Sequence, residues 1–344
     1  MDETKLRQMA VMARGDQGYH ETEVTISGEA DLHRAFVFCD KNPGHKKFIS
    51  VKKFSVSDLP QEYQDEDIVK YILAQAELTV RIRSTYTSPG RPEGYAFHRH
   101  AGKDLQRYGT GFVQYVYRND VRSGKPCPCP ECKASSDPLE EWAKVKVRTA
   151  THVVFDDDEA RNSVAELFYD AEDEKDKIKS VYGDNVRFGA LQGDWCDMRC
   201  VTHDMELVEH LKDTWGRWRW LETKINQKYS DDDQARLAVV VSHPHGCDKQ
   251  VSVGTWRDRQ VVDRSREFEN CVYTYDTPTC PGSSGAPVWI LGKMKWGGFF
   301  GRHPHSGWTG SGLQTQGSNV MGLNVTGSSA SRVNVSAVGW DKRI

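Results

Sequence analysis

The chain has 344 residues, with 46 basic against 49 acidic side chains, a net charge of −3 and 38% hydrophobic residues. That balance fits an ordinary globular protein with one sizeable core plus an accessory segment, and it excludes fibrous, collagen-like and wholly disordered classes. No basic stripe interleaved with aromatics is present, so nucleic acid is not an expected partner, and the polar opening Met1-Asp2-Glu3-Thr4-Lys5 suits neither a secretory signal nor a membrane span; the expectation is a cytoplasmic protein without membrane contact.

Residues 1–78 read as an accessory segment. A short amphipathic start leads to the strand-like runs Glu23-Val24-Thr25-Ile26 and Ala35-Phe36-Val37-Phe38, then to a helix after Leu59-Pro60 with Ile68, Ile72 and Leu73 on one face. No Gly/Ser linker follows, so the segment is read as a brace on the next domain, with recruitment of a protein partner as the alternative. From Leu78 the pattern becomes short alternating runs at 78–82, 112–117 and 143–147, the signature of half-buried antiparallel strands. Cys127-Pro128-Cys129-Pro130-Glu131-Cys132 interrupts them with three thiols on a proline-stiffened loop. The stretch from Asp156 to Tyr169 reads as helical, and the acidic run 170–176 as a solvated face. Leu207, Leu211, Trp215, Trp218, Leu221 and Ile225 recur at helical spacing and predict a long helix with a packing stripe. After the runs 239–246 and 251–254 comes Cys280-Pro281-Gly282-Ser283-Ser284-Gly285-Ala286-Pro287, a tight glycine-flanked turn that presents a serine. The glycine- and tryptophan-rich stretch between Leu291 and Val320, with His303 and His305, reads as a solvent-exposed elaboration.

The turn at Ser284 resembles the nucleophile loop of chymotrypsin-like serine proteases, and Thr149-Ala150-Thr151-His152 resembles the Thr-Ala-x-His corner of trypsin-like ones. Gly109-Thr110-Gly111-Phe112-Val113 and the stretch 239–254 are similar to an early strand and to the opening of the second barrel in intracellular and bacterial members, so the resemblance spans residues 79–344. It implies a mainly β fold of two antiparallel barrels with helical insertions and an N-terminal α+β segment, acting as a serine endopeptidase on protein or peptide substrates. Ser284 would be the nucleophile, His152 its base and Asp197, opening a strand, the carboxylate that fixes the imidazole; this chain order is that of chymotrypsin-like enzymes, not of subtilisins. Asp194 competes for the last role, and a regular strand cannot turn both carboxylates toward His152. The Gly282 and Ser284 amides would bind the oxyanion.

The same resemblance builds the substrate pocket from Pro278-Thr279 and the stretch 322–327. It implies a neutral pocket lined by Thr279 and Asn324, because no acid falls at its base and Asn324 stands where glutamate-specific relatives carry a histidine. No metal or organic cofactor is required. The nine cysteines suit free thiols, and Cys127, Cys129 and Cys132 are one ligand short of a zinc site. Cys196, Cys200, His98 and His100 are candidate fourth ligands among which spacing does not choose, so a reduced loop is preferred. Two competing readings remain: a protease-like binding module with weak or no catalysis, and an enzyme dormant until its N-terminal segment is cleaved or displaced.

Overall fold

The N-terminal segment builds itself into both halves of the molecule. A computed structural model describes residues 3–26, 28–119, 125–229, 234–266, 268–293, 303–309 and 333–342. Within the segment lie α1 (Glu3–Asp16), β1 (Glu23–Thr25), α2 (Glu29–Val37), β2 (Phe48–Ser50) and α3 (Glu66–Leu78). The expected strand at 35–38 is instead the end of α2, which opens on Glu29 and Asp31 and buries Leu32 against Tyr108 and Cys247, leaving Val37 and Phe38 exposed. In α3 the Asp65 carboxylate caps the first turn by accepting from Asp67 N at 2.8 Å, and one face buries Ile68, Tyr71 and Ile72.

Six strands follow: β3 (Thr79–Thr87), β4 (Lys103–Arg118), β5 (Ala143–Thr149), β6 (Ser163–Leu167), β7 (Lys179–Ala190) and β8 (Trp195–Thr202), with the short helices α4 (Pro130–Ala134) and α5 (Asp157–Arg161). They pair antiparallel in the ring β3-β4-β5-β8-β7-β6 and back to β3, which closes a barrel, while β1 adds to β4. The helix expected over 156–169 is only the single turn α5, capped by Asp156. Ser163 to Leu167 are pulled into the sheet because they supply the strand that joins β3 to β7. Glu159 of α5 is fully buried and pairs with the equally buried Arg91 and Arg107. Arg91 Nη2 in turn donates to the His152 carbonyl at 3.0 Å.

The long helix α6 (Met205–Tyr229) then packs on α3, with the Trp218 ring 5.5 Å from Tyr71 and 5.4 Å from Phe112. The second barrel comprises β9 (Leu237–Ser242), β10 (Gln250–Arg264), β11 (Phe268–Tyr275), β12 (Pro287–Ile290), β13 (His303–Thr309) and β14 (Val333–Ser336), closed as β9-β10-β11-β14-β13-β12; β15 (Gly339–Lys342) adds to β11 and β2 to β10. One apolar cluster runs from Val80, Ile82 and Val147 of the first barrel through Tyr71 and Trp218 to Val239, Val241 and Trp289 of the second. His303 to Gly307 are buried strand, not exposed elaboration, because β12, β14 and the serine turn use their backbone groups. Asn324 and the stretch 322–327 lie outside the described residues. Among those described, no helix is long and apolar enough to cross a membrane.

Candidate active site

Ser284 sits in a turn that only glycines permit. Gly282 and Gly285 have φ of 94° and 86°, and a Cβ on them would stand 2.5 Å from His243 O and 2.1 Å from Thr110 O respectively. The turn is pinned from both barrels: Thr110 N donates to Ser284 O at 2.8 Å, and Gly285 N to His305 O at 2.7 Å. His152 leaves β5 at a small-residue corner and brings Nε2 to 2.6 Å from Ser284 Oγ. Its Nδ1 lies 2.9 Å from both oxygens of Asp194, whose carboxylate also accepts from His152 N and from Ser306 Oγ. Burial disfavours the charge on Asp194, but His152, His20 and these hydrogen bonds outweigh it and hold its pKa down at about 2. An ionised carboxylate there keeps the imidazole proton on Nδ1, which leaves Nε2 free to take the Ser284 proton.

The structure thus brings Asp194, not Asp197, to His152. Asp197 stands opposite Arg148 in the β5–β8 register and accepts from Arg148 Nε at 2.8 Å and Nη2 at 3.0 Å, and it pairs with Lys146 Nζ at 2.8 Å. Asp194 lies just before β8 in a left-handed corner (φ 51°), so the alternation of the strand does not dictate its direction. Gly193-Asp194 was the available sequence signal for that corner.

The chain's own residues 19–23 run through the cleft. Gly282 N and Ser284 N, the two expected oxyanion donors, both donate to Glu21 O, at 2.6 and 3.3 Å, and Glu21 N donates to Ser284 Oγ at 2.9 Å. On one side His20 pairs antiparallel with Gly307, and Trp308 N donates to Tyr19 O at 3.2 Å. A side chain at Gly307 would come within 2.3 Å of Tyr19 O. On the other side β1 continues the extended path, Glu23 lying opposite Tyr108. The His20 ring stacks on His152 with centroids 3.8 Å apart.

The Glu21 side chain is buried in a pocket. Thr279 Oγ1 donates to Oε2 at 2.7 Å, His305 Nε2 lies 2.7 Å from the same oxygen, and Lys41 Nζ pairs with Oε1. Tyr275 Oη is 2.6 Å from His305 Nδ1. Burial keeps the Tyr275 phenol protonated and lowers the His305 pKa, so the phenol donates to Nδ1 and a neutral imidazole donates from Nε2. Burial works against the Glu21 charge, but Lys41 and His305 prevail and hold its pKa below the usual carboxylate range. Asn324 of the expected neutral pocket lies outside the described residues, and Lys41 brings a cation into the pocket that holds Glu21. Thr279 lines it, the Pro278 carbonyl is taken by Ser252 Oγ at 2.7 Å, and the missed residues are His305 and Lys41. Pro304 disguised the strand that carries His305, and nothing in the sequence near Lys41 pointed to the cleft.

All nine cysteines are unpaired by disulfides. Cys127, Cys129 and Cys132 converge on His203, which was not among the candidate ligands: its Nε2 lies 3.0 Å from Cys129 Sγ and 3.5 Å from Cys132 Sγ. Beside the serine turn a second buried group gathers Cys39, His45, His245 and Cys280, with the two thiols 3.5 Å apart and His45 Nε2 3.4 Å from Cys280 Sγ.

No family model and no curated protein matches the chain. Solved structures to which it is similar include the active form of the Rv3671c protease from M. tuberculosis, at 15% identity and TM-score 0.35, covering 79% of this chain and 82% of that one. An inactive form of the same protease is also similar (15% identity, TM-score 0.34, 70% and 84% covered), as is the HtrA-type protease AlgW with a decapeptide (9%, 0.35, 79% and 62%). Two closed six-stranded antiparallel barrels, with Ser284 and His152 facing each other between them, give this chain the chymotrypsin fold of the trypsin-like serine proteases.

Proposed function

We propose that the chain is a serine endopeptidase that cleaves after glutamate through Ser284, His152, Asp194 and an acyl-enzyme. The observation that carries this reading is Glu21, whose carbonyl oxygen accepts from Gly282 N and Ser284 N while its carboxylate fills the pocket of Thr279, His305 and Lys41. In this reading His152 Nε2 takes the proton of Ser284 Oγ as that oxygen attacks the carbonyl carbon. The two amides hold the charge that develops on the carbonyl oxygen, and the imidazolium then gives its proton to the leaving amine. Water attacks the acyl-enzyme by the same route. Against the alternative of a binding module with weak or no catalysis stands the short Ser284–His152–Asp194 chain, which binding alone does not require.

The test is turnover of a peptide panel that differs only at the residue before the scissile bond, combined with a fluorophosphonate probe. Glutamate is expected to exceed glutamine in kcat/KM by about tenfold or more, the difference between charge-assisted and neutral hydrogen bonds. Ser284→Ala should abolish both turnover and labelling. A wild-type protein that neither turns over any peptide nor takes the probe would remove the endopeptidase reading.

A further inference from the structure

We infer that the chain's own Glu21–Thr22 peptide bond is a substrate of Ser284 and is cut within the molecule; this rests on the endopeptidase reading above. The stretch from Tyr19 to Thr25 lies in the cleft as a peptide to be cleaved lies. Upstream of the bond it pairs antiparallel with β13, through His20 opposite Gly307 and Trp308 N to Tyr19 O. Downstream it pairs antiparallel with β4, Glu23 facing Tyr108. Between these anchors the Glu21 carbonyl meets both amide donors, and its side chain fills a buried pocket that receives the carboxylate. Gly307 carries no side chain where one would collide with Tyr19, so the backbone of β13 is shaped to this close approach.

Ser284 Oγ forms a bond to the Glu21 carbonyl carbon as its proton passes to His152. The C–N bond to Thr22 breaks, and that proton goes to the new Thr22 amine. Water then hydrolyses the Glu21–Ser284 ester, releasing residues 1–21 with a C-terminal Glu21 carboxylate and restoring the hydroxyl. Residues after Thr22 stay attached, because β1, β2 and α3 are built into the barrels.

The measurement is intact mass and N-terminal sequencing of the full chain over time, at two protein concentrations, with a separate peptide spanning Tyr19 to Thr25 added as a substrate in trans. A wild-type chain beginning at Thr22, an uncut Ser284→Ala chain and a first-order rate that does not change with concentration are expected. Glu21→Gln should slow the cut by about tenfold or more. A wild-type chain that cuts the added peptide but stays intact itself would overturn self-cleavage and leave the endopeptidase standing. Failure to cut either would overturn both, and a rate proportional to protein concentration would overturn cleavage within the molecule.

The two thiol–imidazole groups carry a second, independent proposal: each binds one zinc ion. Cys3His and Cys2His2 are the donor sets of closed tetrahedral zinc sites, whose ligand atoms stand roughly 3.5 Å from one another. The observed separations of 3.5 and 3.4 Å beside the serine turn match that spacing, as does the 3.5 Å between Cys132 and His203, with Cys129 closer to His203 at 3.0 Å. His245 Nδ1 is held by Glu23 Oε2 at 2.8 Å, which leaves the buried Nε2 to face the metal. The site would tie Cys39 and His45 of the N-terminal segment to Cys280 of the serine turn.

Elemental analysis of the Ser284→Ala chain is expected to give two equivalents of zinc, falling to one in His203→Ala and to one in His45→Ala. Less than about a tenth of an equivalent in folded protein purified without chelator overturns the proposal. Should either histidine variant fail to fold, cobalt(II) exchanged into the unaltered sites decides: thiolate-to-cobalt charge-transfer absorption is expected, and its absence overturns the assignment.

Discussion

Asp194→Asn is expected to lower kcat by about 10^4-fold while Asp197→Asn leaves kcat per folded molecule within a few-fold of wild type. An amide at 194 can offer its NH2 group to His152 Nδ1, which stabilises the tautomer that carries the proton on Nε2. That nitrogen then cannot accept from Ser284 Oγ, although every distance in the site is preserved. Asp197 has a different task. Its carboxylate stands between Arg148 and Lys146, both largely buried, and losing it leaves two cations without their shared anion. Breaking such a buried pair costs about 3–5 kcal/mol, so Asp197→Asn should move the denaturant midpoint, not the chemistry. Peptide turnover normalised to folded protein, measured beside denaturant unfolding, separates the two. Loss of turnover in Asp197→Asn with retention in Asp194→Asn would reverse the assignment.

Glu159→Gln is expected to destabilise the fold by about 3–5 kcal/mol and to impair turnover as well. The carboxylate accepts from Arg91, Arg107, Ser88 N and Phe155 N, and neither guanidinium reaches water. Arg91 also holds the His152 carbonyl, so a shift of Arg91 moves the base against Ser284. The effect depends on pH in a definite direction. Burial disfavours the Glu159 charge, yet Arg107 and Arg91 outweigh it and depress its pKa in the folded state. The folded chain then holds the proton less tightly than the unfolded chain does. The stability gap between wild type and Glu159→Gln is therefore full above the ordinary glutamate pKa and closes as pH falls through the depressed folded value. Urea midpoints of both proteins across an acid series give this gap directly, and a gap that does not change with pH would remove the ion-pair explanation.

The nucleophile turn was legible because its glycines are demanded by backbone geometry, and local sequence records local geometry. His152 was legible for the same reason, at a small-residue corner closing an alternating strand. The partner of its Nδ1 was not, since a corner residue and a strand residue three positions apart differ only in direction, which a single left-handed φ at Asp194 decides. His305 escaped because Pro304 and Gly307 break the alternation that marks a strand, although pairing with β12, β14 and the serine turn makes it one. Lys41, His45 and His203 reach their groups only through tertiary folding, across sequence separations that spacing arguments do not bridge. The strand-like run at 35–38 and the helix-like run at 156–169 failed for one shared reason: short apolar patterns are settled by the surfaces they meet.

The apolar cluster that threads Tyr71, Trp218 and Trp289 between the barrels joins them in one continuous core. Two independent barrels could open like a book, and the cleft would then breathe with the hinge. Here α3 and α6 bind both covers to a common spine, so opening the cleft would mean exposing that spine. Access for a peptide therefore has to come from displacement of the strand-like segment lying in the cleft, with the barrels themselves holding still.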